Sequence, residues 1–182
     1  MSILTQRTVS KKISIYGVGI HTGLKANLDI LPAQPNTGII FKRVDIKKNN
    51  IIIPTYNNVV DATLCTTISN DYGVKVSTIE HLMGAFYGLG IDNAIVELNS
   101  QEVPIMDGSA KQFVELILQT GIQASEVPIK IIKVEQQAEV SEGDKTISIN
   151  KSKEKITIKF VSKSFLQQQV RSMVGCLKYL GE

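Results

Sequence analysis

Two cysteines, two histidines and no long apolar run are the scarcities that first narrow the reading of this 182-residue chain. Cys65 and Cys176 stand too far apart for a C-x-x-C metal or redox clip and are too few for a disulfide framework, so reduced thiols are expected. No stretch approaches the roughly 18 apolar residues that a membrane-crossing helix requires. The first twenty residues intersperse Lys, Arg and Ser with isolated apolar positions and build no signal-peptide core. A cytoplasmic protein without a transmembrane segment is the expectation. There is no internal repeat, and the only short biased run is Gln167-Gln168-Gln169. A net charge of +3 is too small by itself to argue for a nucleic-acid partner. Its distribution says more: residues 151–182 carry +5 and the preceding 150 carry −2, so a mildly acidic body ends in a basic tail.

With 43% hydrophobic residues the chain can bury a core as one domain or two small ones. Ile13 and Ile15, then Ala26, Leu28 and Ile30 interleaved with Asn27 and Asp29, predict two strands joined by the glycine-rich loop Gly17-Val18-Gly19-Ile20-His21-Thr22-Gly23. Gly38 to Lys42 reads as a third strand, Ile51-Ile52-Ile53 as a short edge strand or insertion, and Thr63 to Ser69 as another strand. A turn at Asn70–Gly73 leads that last strand into Val74–Val76. Ser77 or Thr78 can cap a helix whose apolar face is Ile79, Leu82, Met83, Phe86 and Tyr87, stopped by Gly88 and Gly90. Ile91 to Leu98 follows as a strand. The turn Pro104–Gly108 leads to a second helix capped by Ser109, with Phe113, Val114, Leu116 and Ile117 inward and Gly121 at its end. Beyond it, Pro128 to Val134, the segment around Val140, Thr146 to Ile149 and Lys155 to Phe160 read as strands of further hairpins, with a turn at Glu142-Gly143-Asp144. This succession predicts an α+β fold, a two-layer sandwich of a largely antiparallel sheet and two helices, plus an incomplete second domain. The expected divisions are residues 1–124, 125–160 and a basic amphipathic helix over 161–182.

Any metal or acid–base chemistry must pass through His21 or His81. Glu80-His81 falls near a helix N-terminus, where a neutral imidazole can bind Zn²⁺ and a neighbouring carboxylate can take a proton from a metal-bound water. Ser77-Thr78-Ile79-Glu80 also fits an S-x-x-E capping box, in which Glu80 merely returns a hydrogen bond to the Ser77 backbone. His81 as a surface residue, His21 as a loop residue held by backbone hydrogen bonds, Cys65 as a small core hydrophobe in its strand and Asp107 as a turn former are the plainer alternatives.

Taken together, several segments resemble the N-terminal half of the zinc-dependent UDP-3-O-acyl-N-acetylglucosamine deacetylase family of lipid A biosynthesis. They are Gln6-Arg7-Thr8, Gly17–Gly23, Asn36-Thr37-Gly38, Asp61-Ala62-Thr63-Leu64-Cys65-Thr66, Ser77-Thr78-Ile79-Glu80-His81-Leu82, Gly88-Leu89-Gly90-Ile91-Asp92-Asn93 and Pro104–Ala110, in the family's order. The resemblance implies that Glu80 is the general base and His81 the first zinc ligand. It places Thr63, Leu64 and Cys65 along the acyl-chain and sugar site, and His21 at its margin. Zinc would polarise the acetamide carbonyl while the base activates a water, releasing acetate from UDP-3-O-acyl-N-acetylglucosamine.

The chain also departs from that family. The remaining ligands there lie on an H-x-x-x-D segment of a second domain, and no such segment occurs in these 182 residues. One imidazole cannot hold a three-ligand catalytic zinc, so the isolated chain is expected to be inactive. Ser162–Gly175 instead resembles the C-terminal strand and helix of tRNA pseudouridine synthases, over about 25 residues that exclude the catalytic aspartate. As plain structure the same segment is an amphipathic helix with Phe165, Leu166, Val170, Met173, Val174 and Leu177 on one face. Two rival readings are a noncatalytic module whose basic helix contacts RNA, the less favoured one, and a domain that self-associates through an exposed interface.

Overall fold

The computed structural model describes residues 4–130, 135–150 and 157–161, with the last segment described by its backbone. The elements run β1 Thr5–Val9, β2 Ile13–Val18, β3 Lys25–Pro32, β4 Ile39–Arg43, β5 Ile51–Ile52, a 3₁₀ turn Tyr56–Asn58, β6 Val59–Asp61, β7 Thr67–Ser69, β8 Lys75–Val76, α1 Glu80–Leu89, β9 Ala94–Leu98, α2 Lys111–Thr120, β10 Ile122–Pro128, β11 Ala138–Glu142, β12 Lys145–Asn150 and β13 Thr157–Val161. They form two units, Met1–Ile129 and Lys130–Glu182. The architecture is α+β, with sheets that are mostly antiparallel.

In the first unit the main sheet has the order β2-β3-β9-β4-β5, antiparallel except where β4 and β9 pair in parallel. A parallel pair cannot be closed by a tight hairpin, and the long connection from β4 to β9 contains the small sheet β6-β7-β8 and α1. The register stacks apolar side chains on one face: Ile13 opposite Ile30, Ile15 opposite Leu28, Ile30 opposite Val96, and Phe41 opposite Val96. Each of these is buried, as are Leu82, Ala85 and Phe86 of α1 and Phe113 and Ile117 of α2. The two helices pack on each other, and α2 also reaches β2. On the other face Asp29 sits directly opposite Glu97, a like-charged pair. Lys12 Nζ lies 2.7 Å from Asp29 Oδ2 and Lys42 Nζ 2.8 Å from Glu97 Oε1, so each carboxylate has its own cation. Among the described residues no helix is long and apolar enough to cross a membrane.

Several motifs of the sequence turn out to be joints between elements. The buried amide of Gln6 accepts from Asn36 N–H (2.8 Å) and Asn93 Nδ2 (3.0 Å), and donates to Asn36 Oδ1 and to Pro128 C=O. Asn93 Oδ1 in turn accepts from Gly38 N–H at 2.9 Å. One network thus ties β1, the β3–β4 turn, the approach to β9 and the end of β10. Arg43, also buried, grips Asp45 through Nε and Nη2 of its guanidinium and donates from Nη1 to Lys75 C=O, which fastens β4 to β8.

Three strands were not foreseen. β1 pairs with β10 as a two-stranded ribbon, and β6 opens the small sheet. The expected strand over Thr63 to Ser69 contracts to Thr67–Ser69, because Asp61 Oδ1 accepts Thr63 N–H at 2.9 Å and bends the chain there. The expected strand from Ile91 starts at Ala94, since the amides of Asp92 and Asn93 both donate to Arg7 C=O. Gly90, with φ +66, ends α1, whereas Gly88 lies inside it; Tyr87 of the predicted apolar face is half exposed. Ser109 stands one residue before the helix cap Ala110, yet its Oγ accepts Lys111 N–H.

In the second unit β11, β12 and β13 form an antiparallel meander. Glu142 pairs with Lys145 across a two-residue loop in which Gly143 supplies φ +59, the positive value such hairpins need. Residues 131–134 and 155–156 of the predicted hairpins, and the whole of the predicted 161–182 helix beyond Val161, lie outside the described residues. Replacing Phe86 by Ala should lower the unfolding free energy of the chain by about 3–5 kcal/mol, read from denaturant midpoints at unchanged slope.

Candidate functional site

Helix α1 begins in a way its sequence did not announce. Its cap residue is Ile79, and no side chain caps it. The capping-box alternative fails at both ends: Ser77 N–H donates to Gln101 C=O (2.9 Å), and Ser77 Oγ donates to the same carbonyl. The Glu80 carboxylate instead turns to the bend after β6, where its Oε2 accepts Thr66 N–H at 3.1 Å. Among the described residues its other oxygen takes no protein hydrogen bond, so one carboxylate oxygen is fixed and the other is not. His81 follows, half-buried, and its imidazole makes no hydrogen bond or ion pair among the described residues.

The bend joined to Glu80 carries the other predicted site residues. Thr63 and Leu64 are exposed, Leu64 at 82%. Cys65 is half-buried, its Sγ 3.7 Å from Thr67 Oγ1, so it is neither in a strand nor in the core as one expectation had it. The structure therefore brings Glu80 and the 63–66 segment together through a direct bond. His21 enters from the β2–β3 loop with an exposed side chain and a backbone N–H that is held by a carboxylate.

That carboxylate belongs to Glu102, which the sequence reading missed. Glu102 is fully buried. Its Oε1 accepts His21 N–H (3.0 Å) and Thr78 Oγ1–H (2.9 Å), and its Oε2 accepts Thr22 N–H (2.8 Å) and Thr22 Oγ1–H (2.7 Å). Four neutral donors fill the lone-pair sites of one anion. Burial pushes the Glu102 pKa up, but the bonds from His21, Thr22 and Thr78 together outweigh it and hold the group below the ordinary glutamate value. A signal was present in the sequence: a lone acid heading the apolar run Val103-Pro104-Ile105, and a glycine loop full of amides in need of an acceptor.

The loop's glycines now have steric reasons. A Cβ on Gly19 would overlap Glu102 Oε2, and one on Gly17 would come within 2.8 Å of Pro104 Cβ. Thr78, a β-branched residue, is held at φ +58, and its hydroxyl bond to Glu102 helps to keep it there. Asp107 is the turn former of the plain reading: its Oδ1 accepts both N–H and Oγ–H of Ser109, and those bonds, the hydroxyl's foremost, hold its pKa down.

No three His, Cys, Asp or Glu side chains gather among the described residues, so the side chains at this site do not fit a resident zinc ion.

Comparison with known proteins follows the same outline. A sequence model of the family described as UDP-3-O-acyl N-acetylglycosamine deacetylase matches residues 6–180. The UDP-3-O-acyl-N-acetylglucosamine deacetylase of Haemophilus influenzae (strain 86-028NP) is 43% identical over 143 residues, 79% of this chain and 47% of its own length. Proteins of the same name from Shewanella sp. (strain W3-18-1) and Shewanella oneidensis are 45% identical with the same coverage. The chain spans about half the length of the curated relatives it matches.

Two outcomes are expected. Gly19→Ala should destabilise the fold by about 2–3 kcal/mol in denaturant titrations, through overlap with the Glu102 carboxylate. Because the folded-state pKa of Glu102 is depressed, its stabilising contribution is complete above the ordinary glutamate value and is lost as pH falls through the folded value. Thermal melts from neutral to acid pH should therefore show a smaller acid-side loss in Glu102→Gln than in the parent chain.

Proposed function

The chain belongs to the UDP-3-O-acyl-N-acetylglucosamine deacetylase family, and from that premise we propose that it carries one half of a deacetylase site, with Glu80 as the proton-accepting base and His81 as a metal ligand. The observation that carries the reading is the start of α1. The residue that sequence patterning assigned to a helix cap is released from it, held by one oxygen to Thr66 N–H and left with the other for a water. A carboxylate so oriented can take a proton from a water attacking an acetamide carbonyl, and hand it on to the departing amine.

The substrate of this half-site is UDP-3-O-acyl-N-acetylglucosamine, and the reaction is hydrolysis of its acetamide in lipid A biosynthesis. The exposed Leu64 and half-buried Cys65 lie on the segment bonded to Glu80, where an acyl chain or sugar would pass close to the base. His21, exposed on a loop held through Glu102, stands at the margin. Zinc would supply Lewis-acid polarisation of the carbonyl when bound. The two histidines of the sequence leave its ligand set incomplete, so the reading routes no step through metal held by this chain alone.

The purified 182-residue chain should accordingly release no acetate from UDP-3-O-acyl-N-acetylglucosamine, with or without added zinc, and should retain no stoichiometric zinc after gel filtration. Turnover accompanied by one bound zinc per chain would refute the half-site reading.

A further inference from the structure

The bonds around Glu102 reach in two directions, and that is more than a loop staple requires. Its backbone is fixed beside the approach to α1, with Ser77 N–H donating to Gln101 C=O and Val103 N–H donating to Ser77 C=O in a parallel bridge between Ser77 and Glu102. From that anchored position the side chain takes three donors from the β2–β3 loop and one, the Thr78 hydroxyl, from the segment that launches the helix. Thr78 lies two residues before Glu80 and three before His81, in the positive-φ conformation that sets the direction in which α1 departs.

We propose that Glu102 is a positioning residue of the candidate site, a buried bridge that couples the loop bearing His21 to the start of the helix bearing Glu80 and His81, so that a displacement of either is transmitted to the other. The proposal rests on the assignment of those three residues to the site. The physical reason for the coupling is the closed shell of donors. No water reaches the carboxylate to replace a lost partner, so a shift of Thr78 leaves a buried lone pair unfilled unless the loop follows it. Gly19, packed against the same oxygen with no room for a Cβ, removes slack on the loop side. None of the four donors is charged, so no flexible cationic side chain absorbs the movement. The two segments share no sheet ladder, since the loop joins β2 to β3 whereas Thr78 follows β8 in the separate small sheet; apart from the Glu102 side chain they are joined through the backbone of the 101–105 segment, to which Ser77 and Val18 are bonded.

The test uses the whole ¹⁵N-labelled chain and reads backbone amides. Thr78→Val removes only the helix-side hydroxyl from a side chain of nearly the same shape, and Thr78→Ser keeps it. Thr78→Val should move the amide resonances of His21 and Thr22 across the bridge and speed their hydrogen exchange about tenfold or more, while Thr78→Ser leaves both near the parent values. In the reverse direction Thr22→Val should move the amides of Glu80 and His81. A merely structural Glu102 would lower the melting temperature in these variants and leave the far side of the bridge unmoved. That result, or loop perturbation as large in Thr78→Ser as in Thr78→Val, overturns the proposal. Glu102→Gln should disturb both sides at once, because an amide nitrogen then faces a backbone N–H; should it fail to fold, the single-hydroxyl variants still decide the matter. No arm measures acetate release, so failure here and failure of the half-site assignment are told apart.

Discussion

An ionised carboxylate withdrawn from water costs several kcal/mol unless its lone pairs are filled by donors that are already in place. Glu102 sets that requirement at the junction of three segments, and the surrounding sequence meets it without a single cation. The glycine-rich loop supplies two amides and a hydroxyl because residues without side chains let its backbone fold around the acid. Thr78 supplies the fourth donor and holds a backbone conformation that a β-branched residue seldom adopts. Each concession makes sense only with the others present.

The entry to α1 shows how such a requirement overrides local preference. Ser77-Thr78-Ile79-Glu80 has the spacing of a capping box, and in an isolated peptide those groups would satisfy one another. Here Ser77 is spent on the parallel bridge to the 101–103 segment, Thr78 on Glu102, and Glu80 on the amide of Thr66. Tertiary partners take up the side chains the cap would have used. The exchange is what frees a carboxylate oxygen beside an imidazole, so the chemical potential of the site and the loss of the cap are one event.

Motifs that carry the family likeness divide into two physical kinds. Gln6 and Asn93 are buried amides that, with the exposed Asn36, satisfy each other across four elements, and their spacing in sequence is intelligible only as a closed network. The 63–66 segment and Glu80-His81 are open, half-buried or exposed, and bonded sparsely. A motif in sequence looks the same in either case. The number of bonds a side chain makes separates the joint from the candidate site, and those bonds are a property of the assembled fold.

Periodicity was enough for the inward faces of β2 and β3, for the existence of β4 and of both helices and for the α+β class, because alternation and the 3.6-residue repeat are local consequences of which side chains avoid water. Glu80 and His81 could be singled out as candidates from the sequence, because the chain has two histidines and one of them follows an acid at the start of a helix. Local patterning was silent on β1 and β10, whose partners lie more than a hundred residues apart, and on the parallel register of β4 with β9. It misassigned the bend at 63–66, and it passed over Glu102 altogether. The bend turns on Asp61, two residues from Thr63, but in the other cases the deciding partner is distant along the chain and near in space, and hydrogen-bond demand is settled by whichever donor the fold delivers.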